Sequence, residues 1–313
     1  MSRLGVLRSD LANIGRFWRR IEPVTPMPPC PPPLPEGRVV DVPGRGETLV
    51  REMPGPAGGP TILLLHGWTL CSDVNWFTAY ETLAHHGRVI AMDQRGHGRG
   101  IRSEEPFTLE AAADDAAALL EHLDAAPAVI VGYSMGGSVA LLQWRRHPES
   151  VAGLVLQSTG LQWRESVREH ILWAGRSMVG LGLRFGAPSG LTARYLRAAT
   201  EQRPDLEPYL PWLTSEVRRS DPTDIAAAGR ALCRFDARPF AGDIDVPTAV
   251  VVALHDRLIR PNKQRRLAAA VPDMEVIEAD VGHNGWMVRP DKIAGALAQG
   301  IDSVVARLPS GKG

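Results

Sequence analysis

From about residue 38 onward the hydrophobic positions alternate between short continuous runs and longer stretches with an apolar residue every three or four positions. The continuous runs are Thr61 to Leu65, Arg88 to Met92, Ala128 to Val131, Val151 to Leu156, Thr248 to Leu254 and Met274 to Ile277. Runs of this length with no polar alternation read as strands buried on both faces. The three-to-four spacing near 74–86, 107–124 and 135–147 predicts helices between the early runs. Val39 to Val42 and Thr48 to Val50, separated by Pro43, Gly44 and Gly46, predict an opening hairpin. Apolar strands alternating with helices predict an α/β fold, a mostly parallel sheet flanked by helices. The rhythm stops after Leu156 and resumes near residue 246. Between them, about 161–235 is helix-like, broken by Pro188, Pro204, Pro208, Pro211 and Pro222, and reads as an insertion over the sheet. The core is then shared between 38–160 and 236–308.

Ahead of the core, Leu4, Leu7, Leu11, Ile14, Trp18 and Ile21 recur at helical spacing with arginines mostly between them, which predicts an amphipathic helix over 1–22 with a basic side. Eight prolines between 23 and 35 make residues 23–37 an extended polyproline linker. The helix can pack on the protein's own body or on a second copy. Alternatively, its arginines beside Leu11, Phe17 and Trp18 suit an anionic membrane surface, and a disordered tail is the third reading.

With 313 residues the chain is long enough to bury a large core. Its 35 basic and 35 acidic residues cancel, which argues against nucleic acid as a partner. Cys30, Cys71 and Cys233 stand far apart, as expected of a reducing compartment and not of a disulfide framework. No apolar run reaches the roughly 18 residues of a membrane span, and no secretory signal is evident, so a cytoplasmic protein is expected. Neither a metal-ligand cluster nor a dinucleotide fingerprint is present, and no cofactor or metal is expected.

The chemistry concentrates at Gly132-Tyr133-Ser134-Met135-Gly136, between the run ending at Val131 and a helical pattern. A G-x-S-x-G pentapeptide at a strand-to-helix turn is a nucleophile elbow, in which the glycines let a strained serine stand above the sheet. A serine hydroxyl needs a base, and the base needs a group that fixes its tautomer. His283, in a loop after the last predicted strand, is the candidate base; Asp256, directly after the run ending at Leu254, is the candidate acid. His255 and Asp280 are their weaker rivals. Two backbone N–H groups are also required to hold an oxyanion. Those of Trp68, after Leu65-His66-Gly67, and of Met135 are the candidates, with His66 expected mainly to brace its loop.

In combination, His66-Gly67-Trp68, the turn Asp93-Gln94-Arg95-Gly96-His97-Gly98, Gly132 to Gly137, Asp256 and Gly282-His283 resemble the α/β-hydrolase superfamily over about 40–160 and 240–305. The resemblance implies that fold, a Ser-His-Asp mechanism in the chain order seen here, and a helical cap formed by 161–235. Asp93 to Gly98 is similar to a structural turn of the family, so His97 is given no catalytic role. Cap aromatics Trp163, Trp173, Phe185 and Trp212, with Tyr133 and Trp286, are the candidate substrate pocket. The function expected is carboxylic-ester hydrolysis on a hydrophobic acyl substrate. C–C bond hydrolysis, a synthase or perhydrolase activity and acyl transfer are the alternatives within the superfamily, and a ligand-binding receptor on the same scaffold is the non-enzymatic one.

Overall fold

A computed structural model describes residues 29–164, residue 169 and residues 203–309. The helix expected over 1–22 lies outside them, as do residues 23–28 of the linker. Eight strands form one sheet: β1 (Gly37–Val42), β2 (Gly46–Met53), β3 (Thr61–Leu65), β4 (Arg88–Met92), β5 (Ala128–Tyr133), β6 (Val151–Gln157), β7 (Thr248–Ala253) and β8 (Glu275–Ala279). Their order is β1-β2-β4-β3-β5-β6-β7-β8. The hairpin β1–β2 is antiparallel, β2 joins β4 antiparallel, and every later pairing is parallel. Strands β4, β5 and β7 bury essentially every residue, as a parallel strand between two helical layers must. At the two edges the pattern becomes mixed, and Val39 on β1 and Val276 on β8 are exposed.

Nine helices are described: α1 (Ser72–Trp76), α2 (Tyr80–Ala84), α3 (Leu109–His122), α4 (Met135–Arg146), α5 (Leu210–Val217), α6 (Pro222–Arg234), α7 (Pro261–Ala270), α8 (Gly285–Val288) and α9 (Pro290–Val305). One helix is predicted over 74–86, and two short ones occur. Ala79 N donates to Trp76 O at 2.8 Å, a tight turn that interrupts the regular ladder between them. The last strand starts one residue later than predicted and runs on to Ala279, which pairs with Ala253 of β7.

Two apolar layers sandwich the sheet. One joins α3, α4 and Leu267 of α7 to Leu63, Ile130, Leu156 and Val252. The other joins α1, α2 and α9 to Ile62, Val131, Val155 and Val251. The α9 stripe Ile293, Leu297, Ile301 and Val304 has the three-to-four spacing that puts all four on the sheet. Each fully buried aliphatic side chain there contributes about 1.5–3 kcal/mol of transfer free energy. Helix α4 is buried continuously from Met135 to Trp144, because it lies between α3 and the strands β5 and β6.

Between β6 and β7 the chain leaves the sheet and carries α5 and α6. The ends of this excursion meet at an isolated antiparallel bridge between Gln162 and Asp236, with Ala237 N donating to Leu161 O at 2.8 Å. Buried Lys263 of α7 reaches across the junction, donating to Trp163 O at 3.1 Å and to Glu169 Oε2 at 2.9 Å. Among the described residues no helix is long and apolar enough to cross a membrane.

Candidate active site

Strand β5 ends at Tyr133, and the next residue, Ser134, takes φ 54° and ψ −113° before α4 begins. A non-glycine residue at positive φ costs of the order of 1–3 kcal/mol and persists only where its surroundings impose it. Here they do: Ser134 N donates to Gln157 O of β6 at 2.9 Å, and Gly137 N donates to Ser134 O at 3.0 Å. Close packing explains the flanking glycines. A Cβ on Gly136 would lie 2.1 Å from Leu65 O, and one on Gly132 would lie 2.5 Å from Gly136 O. The serine is thereby lifted to the carboxyl end of the sheet, at the start of a buried helix whose N-terminal partial charge is positive.

Two loops at the same sheet end complete the arrangement. His283, in the loop after β8, places Nε2 3.1 Å from Ser134 Oγ, and its Nδ1 faces Asp256 Oδ2 at 2.8 Å. Asp256, three residues past β7, is buried, and its other oxygen accepts from Leu258 N and Ile259 N, both at 2.8 Å. Gln264 Nε2 adds a longer bond of 3.3 Å to Oδ2. Three protein donors besides the imidazole thus fix the carboxylate in place. The weaker rivals pair with each other instead: His255 Nε2 meets Asp280 Oδ1 at 2.8 Å on the exposed surface, and Lys292 takes the other Asp280 oxygen.

The loop after β3 approaches from the other side. A Cβ on Gly67 would lie 2.7 Å from Tyr133 Cε1 and 3.5 Å from Ser134 Cβ, so Gly67 stands directly against the elbow where Met135 opens α4. His66 braces this loop: Gln94 N donates to its Nε2 at 2.9 Å, and its Nδ1 donates to Gly67 O at 2.9 Å. Complete burial pushes the His66 imidazole down to about 4, and burial with the neighbouring His66 pushes His97 down to about 3. Both rings are therefore neutral, as a brace requires. Asp93 opens the next turn. It accepts from Ser72 N, Ser72 Oγ and Arg99 N, while burial raises its carboxyl above the usual range.

The candidate pocket residues divide. Tyr133 lies beneath His283, its ring 5.3 Å from the imidazole and its hydroxyl donating to His283 O at 2.8 Å. Trp163 is buried with its indole N–H on Ser138 Oγ at 3.0 Å. Trp286 is buried, with Thr78 Oγ1, in the turn between α1 and α2, donating to its carbonyl. Trp212 packs edge-on against Phe77 and lines a cleft of about 530 Å³ with Pro29, Pro31, Pro32 and Leu34. Trp173 and Phe185 lie outside the described residues. Asn75 and Gln264, which hold Gly67 and Asp256, carry no mark in the sequence that singles them out, whereas Gln94, which holds His66, lies in the Asp93–Gly98 turn without a role assigned to it there. Among the described residues no group of three or more His, Cys, Asp or Glu side chains could hold a metal ion.

A profile of the alpha/beta hydrolase fold matches residues 60–290. The chain belongs to the α/β-hydrolase family, and it is an enzyme of that family. It is 29% identical over 249 residues to a pimeloyl-[acyl-carrier protein] methyl ester esterase of Chromobacterium violaceum, a match covering 78% of this chain and 95% of that one. A bifunctional esterase/perhydrolase of Acinetobacter calcoaceticus is 40% identical over 106 residues, 33% of this chain and 38% of that protein. Among solved structures, an esterase from Thermogutta terrifontis superposes with a TM-score of 0.70 at 26% identity, covering 86% of this chain and 99% of that one.

Proposed function

We propose that this α/β-hydrolase is a serine carboxylic-ester hydrolase acting on hydrophobic acyl substrates. The observation that carries the reading is the continuous relay from Ser134 Oγ through His283, 3.1 Å away, to Asp256, 2.8 Å beyond. Ser134 attacks the ester carbonyl while His283 Nε2 takes its proton. Asp256 holds Nδ1–H and stabilises the imidazolium. The carbonyl oxygen becomes an oxyanion, received by the N–H groups of Trp68 and Met135. His283 then protonates the leaving alcohol. The acyl-enzyme is cleaved by a water that gives its proton to the same imidazole. Cys30 and Cys71 are free thiols, which suits the expected cytoplasmic setting.

The test is turnover of p-nitrophenyl esters from two to sixteen carbons by wild type and Ser134→Ala, with a fluorophosphonate probe in parallel. Removing the nucleophile is expected to lower kcat by about 10⁴-fold or more and to abolish labelling. Retained turnover in Ser134→Ala overturns the mechanism. Labelling of the wild type without ester turnover moves the assignment to another bond. Perhydrolysis is then next to assay, because the relative from Acinetobacter calcoaceticus is a bifunctional esterase/perhydrolase.

A further inference from the structure

The loop carrying the oxyanion donor Trp68 is held at three successive residues. Gln94 bonds His66 twice, its backbone N–H to Nε2 at 2.9 Å and its side-chain amide to the carbonyl oxygen at 2.7 Å. Gly67 N donates to Asn75 Oδ1 at 2.9 Å. Trp68 reaches into the insertion, where its indole N–H donates to Ile225 O of α6 at 2.8 Å. One helical turn further along α6, a Cβ on Gly229 would lie 2.8 Å from Trp68 Cζ2 and 3.3 Å from Cη2. The six-membered ring of the indole therefore rests on bare helix backbone, at the place where that helix has no side chain.

Helix α6 is itself fixed to the turn that braces His66. Asp221 N, at its N-cap, donates to Gly96 O at 2.8 Å, and Gly98 N donates to Ser220 Oγ at 3.1 Å. The connections form a closed circuit: from Gln94 to His66, along the loop to Trp68, across to Ile225, down α6 to Asp221, and back to Gly96. The Trp68 backbone N–H follows a glycine, the residue least able to hold a peptide plane by itself.

Resting on the serine-hydrolase reading above, we propose that the Trp68 side chain is a positioning residue. By docking on Ile225 and Gly229 it makes the insertion helix set the height of the Trp68 N–H. A donor aimed at a developing oxyanion loses most of its effect when displaced by a fraction of an ångström, whereas substrate binding is little changed. The side chain therefore acts on kcat and does so equally for short and long acyl groups.

Trp68→Phe, Gly229→Ala and the double variant test this, with p-nitrophenyl butyrate and a longer ester as substrates and a trifluoromethyl ketone as transition-state analogue. Trp68→Phe is expected to lower kcat about tenfold or more with KM within about twofold, and to weaken the ketone by the same factor as kcat/KM. Gly229→Ala pushes on the indole ring and gives a similar loss. Combined with Trp68→Phe it adds nothing, because the shorter ring ends before the position of Cζ2. A KM that rises with acyl length at unchanged kcat overturns the proposal, since Trp68 is then only pocket wall. Fully additive losses overturn it too. If Trp68→Phe does not fold, Gly229→Ala carries the test through the kcat and inhibitor readouts. Ser134→Ala in the same assay separates the two readings. Turnover surviving there removes the serine mechanism, and this proposal with it; turnover lost there with additive effects at Trp68 and Gly229 removes this proposal alone.

Discussion

Ser134 occupies a backbone conformation that few residues tolerate, and single substitutions at it and its partners separate chemistry from stability. Asp256→Asn keeps the shape of the side chain but offers His283 Nδ1 an amide in place of a carboxylate, favouring the wrong tautomer. It is expected to reduce kcat by about 10⁴-fold with little change in urea midpoint, measured at pH 7. The two buried imidazoles make a different prediction. His66 and His97 are neutral in the fold, at about 4 and about 3, against about 6.5 when unfolded. Between those limits the unfolded chain binds more protons, so their contribution is fully present above about pH 6.5. It is lost progressively as the pH falls toward 4 and below. Urea midpoints should decline over pH 6.5 to 4 by an amount equivalent to a few kcal/mol, and a flat profile would show that burial does not hold the two imidazoles neutral. At this scale the sequence is informative wherever chemistry restricts the residue type. Ser134, Asp256 and His283 stand out because each follows a strand. Asn75 and Gln264 do not, because their only mark is a hydrogen bond to a residue that the fold brings near.

Among the elements, the strands β3 to β7 are legible because burial on both faces erases polar alternation, and the helices α3 and α4 because each is long enough to repeat its spacing over about three turns. Short elements are less legible: α1 and α2 are five residues each, too short for spacing alone to expose the turn at Phe77 to Ala79. Helix α9 offers a quantitative check. Leu297 is fully buried against the sheet, so Leu297→Ala should destabilise by about 2–5 kcal/mol in urea unfolding. The kcat of whatever fraction remains folded should be unchanged, since Leu297 itself makes none of the hydrogen bonds that hold Ser134, His283 and Asp256.

For the molecule as a whole, the linker reads as a spacer in the sequence, and its described end is packed. Pro32 is buried, Leu34 joins the apolar layer containing Trp212, and Arg51 Nη1 donates to Pro35 O at 2.5 Å. Removing residues 1–36 should therefore lower Tm by several degrees more than removing 1–28 does, as a scanning calorimeter would show. The margins of the sheet have a consequence of another kind. Val39 and Val276 are the large apolar side chains left exposed among the described residues, and they lie on the first and last strands of the sheet. Val276 follows Glu275, and Glu278 stands two residues further along the strand. A second molecule that tried to extend the sheet by laying its own last strand along this one would have to bring Glu275 and the Arg265–Glu278 ion pair out of water beside Val276. The acids beside Val276 thus act as gatekeepers of colloidal stability, guarding against ribbon growth between neighbours in a concentrated solution.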